Sequence, residues 1–260
     1  MSTDQVEQPE VTTAYEGATM IITINRPAAR NAVTYGVAQA MAAALDELDA
    51  RDDLAVGIVT GAGGSFCAGM DLKGFLCGEL PSLPGRGFAG ITERPPATPV
   101  IAAVEGYALA GGCEIALACD LITAGRGARF GIPEVKRGLV AAAGGLIRLP
   151  ERIGPNVAME LALTGGFLDA ERGHQLGLVN RLAADGGALE AALELAAQIA
   201  ENGPLAARVS KQIIVESPQW SATERWQRQQ ELTDPVFASA DAHEGAAAFA
   251  ERRSPHWTGQ

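Results

Sequence analysis

Gly106-Tyr107-Ala108-Leu109-Ala110-Gly111-Gly112-Cys113-Glu114 leads through paired glycines into a helical run that starts at Cys113. At 3.6 residues per turn, the Gly111 amide and the Glu114 side chain share one side of the first turn. The first amides of a helix have no internal partner and carry the positive end of its dipole. Glycine lets a ligand's carbonyl oxygen approach such an amide closely. Two readings follow. In one, Gly111 is half of an oxyanion hole with a carboxylate beside it. In the other, Glu114 is the N3 residue of a capping box, folded back on its own helix end. Cys113, Ile115, Ala116 and Leu117 surround Glu114 in sequence, so its carboxylate is expected in an apolar interior. Burial there raises a carboxyl pKa, which makes the group useful for proton transfer near neutrality.

Two further segments invite the same question. Ser65-Phe66-Cys67-Ala68-Gly69-Met70-Asp71-Leu72-Lys73 holds a small-residue turn at Cys67–Gly69 that leads into a helix expected at Asp71. There the Met70 amide is either a second oxyanion donor or part of an ordinary connection. Glu134 follows Pro133 after a short strand at Arg129–Gly131, close to Lys136 and Arg137. It is either a solvated loop residue or a partner for Glu114.

Around these segments the chain reads as α/β. The first ten residues look like a loose tail, followed by a hairpin of Val11–Tyr15 and Thr19–Ile24 with a turn at Glu16-Gly17. A helix is expected from Tyr35 to Asp49, capped by Thr34, with Val37, Met41, Leu45 and Leu48 on one face. Strands are expected at Ala55–Thr60, Pro99–Val104, Leu121–Ala124 and Val179–Leu182. Gly78–Gly90, rich in Pro and Gly, is a candidate mobile loop. Strands with helices come first and helices alone come last, which divides the chain into a core over 11–200 and a helical region over 201–260.

Composition narrows the function. Twenty Lys and Arg against 31 Asp and Glu give a net charge of −11. That balance argues against nucleic acid, whose phosphates need a basic field. Val100–Cys119, the most apolar stretch, is broken by Glu105 and Glu114, so no membrane span is expected. Residues 1–10 carry acids and no base ahead of an apolar run, so no secretory signal is expected and the compartment is read as cytoplasmic. Cys67, Cys77, Cys113 and Cys119 form no Cys-x-x-Cys pair, and the histidines are remote, so no metal site is expected. Gly61-Ala62-Gly63-Gly64 follows a strand, but Phe66 stands where a dinucleotide loop needs its last glycine. No Gly-x-Ser-x-Gly elbow occurs.

Phe66–Lys73, Gly106–Glu114 and Phe130-Gly131-Ile132-Pro133-Glu134, in this order, resemble the crotonase superfamily, best known for enoyl-CoA hydratases. Asn25-Arg26-Pro27 with Arg30-Asn31-Ala32 resembles its N-terminal motif, and Ala248–Arg253 its C-terminal one. The resemblance spans about residues 11 to 257. It implies a crotonase-type spiral of ββα units followed by a helical C-terminal trimerisation region, giving a homotrimer or homohexamer. It places a thioester carbonyl between the amides of Met70 and Gly111. It makes Ala68, Asp71, Leu72 and Lys73 a wall of the CoA site, with Arg30 nearby and Phe249 and Arg252 reaching it from a neighbouring subunit. Glu114 and Glu134 match the two hydratase glutamates. The implied activity is hydration of trans-2-enoyl-CoA with no cofactor, CoA being part of the substrate. An isomerase, another acyl-CoA enzyme of the family, or a non-catalytic acyl-CoA binder are the alternatives. Two departures bear on substrate range. Ala141-Ala142-Ala143-Gly144-Gly145 lacks the usual Pro-Gly start, and Met70 stands where alanine is common.

Overall fold

The computed structural model describes residues 8–259. An antiparallel hairpin, β1 (Val11–Glu16) and β2 (Thr19–Ile24), opens the chain and pairs in full register from Val11↔Ile24 to Glu16↔Thr19. Helix α1 (Tyr35–Ala50) then crosses to β3 (Val56–Gly61), which lies parallel to β2. The Thr34 hydroxyl accepts from the Val37 amide at 3.1 Å and starts the helix. Val37, Met41, Leu45 and Leu48 are fully buried on one face, each stabilising the fold by roughly 1.5–3 kcal/mol.

Short helix α2 (Leu72–Leu76), the two-residue strands β4 (Ser82–Leu83) and β5 (Gly87–Phe88), and then β6 (Val100–Val104) follow. Next come β7 (Tyr107–Leu109), α3 (Gly111–Ala118), β8 (Leu121–Gly125) and β9 (Arg129–Gly131). A 3-10 turn over Pro133–Arg137 leads to α4 (Gly145–Ile153), α5 (Pro155–Thr164), β10 (Leu168–Asp169) and α6 (Ala170–Gln175). The chain closes with β11 (Arg181–Ala183), α7 (Ala188–Ala200), α8 (Pro204–Glu216), α9 (Arg225–Phe237) and α10 (Ala240–Glu251). Among the described residues no helix is long and apolar enough to cross a membrane.

The strands form a six-stranded sheet in the order β1-β2-β3-β6-β8-β11, parallel beyond the first hairpin, and a smaller sheet, β10-β9-β7. Side chains alternate across the large sheet as the pleat requires. Val56, Ile58, Ile101 and Ala103 face α7, where Ala192 and Ala196 let helix and sheet approach closely. Val59, Val100, Ala102 and Val104 face the larger core, which reaches α1 and the second sheet. Together the two layers put the ends of β7 and β9, and the start of α3, beside the loop after β3.

Two expectations are corrected. Gly78–Gly90 is no mobile loop: β4 pairs with β5, and Phe88, Ala89 and Ile91 are buried. Two of its glycines, Gly87 and Gly90, serve close packing. Gly90, at φ +69°, lies so near α1 that a Cβ would sit 2.7 Å from the Ala38 carbonyl oxygen. Nor does a loose tail extend to residue 10. Residues 1–7 lie outside the described residues, but Glu10 pairs with Arg26 at 2.7 Å and accepts from the Thr34 hydroxyl.

Asn31 ties the N-terminal turn to the loop after β3. It is fully buried, at φ +56°, and its Nδ2 donates to the carbonyls of Ala62 (2.9 Å) and Ser65 (2.6 Å). Its Oδ1 accepts from the Arg26 amide at 2.9 Å. Replacing it strands buried polar groups, each costing about 1–3 kcal/mol. Asn31→Ala is therefore expected to destabilise the protein by about 3 kcal/mol, read from urea midpoints, and a loss below ~1 kcal/mol would refute this role.

Candidate active site

Backbone pairing stitches the loop after β3 between two partners. Cys67 bridges to Ala108, with the Cys67 amide donating to Tyr107 (2.8 Å) and Leu109 donating back to Cys67 (3.0 Å). Two residues on, Val33 donates to the Gly69 carbonyl (2.8 Å) and accepts from Asp71 (2.9 Å). Neighbouring amides in such a ladder point to opposite sides, so the Met70 N–H faces away from Val33. It donates to no group among the described residues. The Gly111 N–H, first in α3, has no acceptor within the helix.

Missing side chains bring these amides together. Gly69 has φ +97°, and a Cβ there would lie 2.8 Å from the Ala110 methyl and 3.1 Å from the Gly111 nitrogen. A Cβ on Gly112 would collide with the Cys67 carbonyl, and one on Gly111 would meet the Phe88 ring at 2.5 Å. Ala110, the N-cap, has φ 52° and ψ −130°. An alanine rarely adopts this backbone, at a cost of about 1–3 kcal/mol, and it aims the Gly111 amide.

Glu114 does not close a capping box. Ala110 is the N-cap, so Glu114 is the fourth helical residue, and its Oε1 accepts instead from the amides of Ala143 (2.7 Å) and Gly145 (2.8 Å). Only 3 % of its surface is exposed. Burial raises its pKa, while the two amides and the Arg148 charge pull the other way. Glu134 is not a solvated loop residue. It sits half-buried in the 3-10 turn, and its Oε2 has no hydrogen-bond partner among the described residues. Burial first, then the nearby Glu114 charge, push its pKa up to about 7 against the opposing Arg137.

Both carboxylates line a cavity of about 440 Å³ with Met70 and Gly111. Ala68, Leu72 and Arg30 also line it. Asp71, Lys73, Phe249 and Arg252 do not. The Asp71 side chain is a helix cap: Oδ1 accepts from the Lys73 and Gly74 amides, and Oδ2 pairs with Arg26 at 3.0 Å. Arg26, paired also to Glu10, is likewise no free cation. Lys73 is exposed. Phe249, on α10, is 87 % exposed, and Arg252 caps the same helix at φ 57°. Leu80, Pro81 and Ser82 line the cavity too, as do Glu93 and Phe167. The first three belong to Gly78–Gly90, whose place after the Ala68–Lys73 segment and richness in Pro and Gly predict a segment over the acyl end of a ligand. Three cysteines are buried, their thiols pushed up to about 12 by burial, and Cys77 is exposed.

A double-layered fold with two free amides and two carboxylates on one cavity defines the class, and the comparisons agree. Residues 14–260 match the enoyl-CoA hydratase/isomerase family, and the chain belongs to it. Its fold is that of the crotonase superfamily. It is 60% identical to the crystal structure of enoyl-CoA hydratase EchA1 from Mycobacterium marinum, with a TM-score of 0.96 over 97% of this chain and 100% of that one. It is 40% identical to enoyl-CoA hydratase EchA19 of Mycobacterium tuberculosis over 96% of both chains. It is also 42% identical to the carnitinyl-CoA dehydratase of Salmonella typhi over 94% of this chain and 96% of that protein. Family membership makes it a hydratase-like enzyme acting on acyl-CoA thioesters.

The two carboxylates are electrostatically linked, and this can be measured. Glu114→Gln removes a like charge, so the Glu134 midpoint should fall below its parent value near 7. Isotope-edited infrared titration of the unliganded protein reads this, and an unmoved midpoint would show the groups to be independent.

Proposed function

We propose that this chain is an enoyl-CoA hydratase, adding water across the 2,3 double bond of a trans-2-enoyl-CoA to give the 3-hydroxyacyl-CoA. The observation that carries this reading is the pair Glu114 and Glu134 on one cavity with the Met70 and Gly111 amides. An enoyl thioester is a weak electrophile at C3 until its carbonyl is polarised. Two amides aimed at the developing enolate oxygen lower that barrier, by about 3 kcal/mol per donor. Glu114 takes the role of base: its Oε1 is held by two amides, which favour the charged form, and its other oxygen is left for water. Glu134, with an unpartnered oxygen and a pKa near 7, keeps its proton for C2. No cofactor enters the scheme, because CoA arrives with the substrate.

The reading extends to assembly. Helices α8 and α9 hold no fully buried residue, while Ile214, Trp226 and Phe237 are exposed there. Large apolar side chains left exposed on helices without buried residues support a homotrimer or homohexamer. In such an assembly Phe249 and Arg252 reach a neighbour's CoA, and the protein acts in the cytoplasm without nucleic acid or membrane.

Glu114→Gln and Glu134→Gln should each slow crotonyl-CoA hydration at least ~100-fold, followed at the enoyl absorbance, with folding intact. Near-normal rates in either variant would remove that residue from the mechanism, and no turnover of any enoyl-CoA in a panel of chain lengths would favour the binding alternative. CoA phosphates meet a net charge of −11, but screening shortens that repulsion to about 8 Å, so local cations can prevail. Arg30→Ala and Arg252→Ala are expected to raise KM for an enoyl-CoA and leave kcat nearly unchanged. The penalty should shrink for the enoyl thioester of pantetheine, which lacks adenosine and the 3′-phosphate; equal penalties would place these arginines in assembly instead.

A further inference from the structure

Arg148 stands one turn into α4, and no acid among the described residues forms an ion pair with it. A half-buried guanidinium without such a partner is costly, so its placement calls for a reason. Its contacts supply one. Nη2 donates to the Thr92 carbonyl at 2.6 Å, and Nη1 lies against Gly144, where a side chain would strike it. Gly144, at φ +97°, is the middle of the turn whose flanking amides, Ala143 and Gly145, grip Glu114. Thr92 follows the β4–β5 hairpin, which presses Phe88 against Gly111. One side chain therefore joins the segment behind the cavity wall to the turn that holds the carboxylate.

We propose that Arg148 is a positioning residue: its guanidinium braces the Ala143–Gly145 turn and supplies the positive charge against which the Glu114 carboxylate is held. Other charged or titratable groups surround the pair. Cys113 lies beside Glu114 on α3, and Glu134 with Arg137 faces it from the 3-10 turn. Glu93 lines the same cavity, and Glu151 and Arg152 share α4 with Arg148. Glu134 and Glu93 would oppose ionisation of Glu114. Among these groups, Arg148 is the cation whose charge bears on Glu114 directly. Burial and Arg152 disfavour the charged guanidinium, and Glu114 in turn favours it, so each charge supports the other.

The catalytic consequence rests on the hydratase reading; the link between the two side chains does not. Arg148→Gln should lower kcat for crotonyl-CoA about tenfold or more with KM changed less than about threefold, because the base is misplaced and holds its proton longer. The acid limb of kcat/KM should move up by about one pH unit, a tenfold change in proton affinity. Arg148→Lys keeps the charge and loses the fork, so its acid limb should stay near the parent's while kcat falls. Isotope-edited infrared titration of Glu114 in the unliganded variants reads the same shift without turnover, so a protein that hydrates no enoyl-CoA still tests the link. An unmoved Glu114 titration in Arg148→Gln would overturn the proposal. Should that variant fail to fold, a shifted limb or titration in Arg148→Lys would overturn it, and an unshifted one with reduced kcat would support it.

Discussion

Two backbone amides from distant segments must open into one space, and no side chain can stand between them. The rest of the site depends on that constraint. Gly69 and Gly112 are glycines because the segments carrying Met70 and Gly111 touch at their backbones, and Gly111 is one because the Phe88 ring occupies the place of its Cβ. Ladder bonds at Cys67 and Val33 then hold the Met70 amide, and the strained Ala110 holds the Gly111 amide. Asn31 acts at one remove, fixing the loop that these ladders position. In the proposed hydration, rigid donors of this kind need no reorganisation when charge develops on the thioester oxygen.

The two glutamates are chemically alike and environmentally different. Both lose solvent, which raises both pKa values, but Glu114 gains two amide donors and a neighbouring cation. Glu134 has a buried oxygen without a partner and the charge of Glu114 to contend with. In the proposed hydration this asymmetry, more than residue type, divides base from acid.

Much of this was legible in one dimension. The β1–β2 hairpin, α1 with its Thr34 cap, and the strands of the large sheet follow from β-branched and short apolar runs, helical spacing and capping chemistry, all local signals. Glu114 stood out as a carboxylate in an apolar run, and Glu134 as an acid beside a strand end. Gly78–Gly90 was misleading because glycine and proline mark both mobile loops and tight packing. Which of the two applies depends on α1, whose Ala38 and Ala42 wait for Gly90 from far along the chain. The partners of Asp71 were hidden for a similar reason: Arg26, which takes one of its carboxylate oxygens, lies 45 residues away in sequence.

Residue order alone thus specified most of the longer elements, the small-residue loops and the identity of the ionisable groups, since each depends on neighbours within a turn or a strand. The partners of those groups came from elsewhere in the chain. That Glu114 meets the amides of Ala143 and Gly145, that Arg148 reaches Thr92, and that Glu134 keeps an oxygen unpaired follow from how α3, α4 and the 3-10 turn pack. Hydrogen bonds and burial act across space at a few ångströms, and spacing along the sequence carries no measure of that distance.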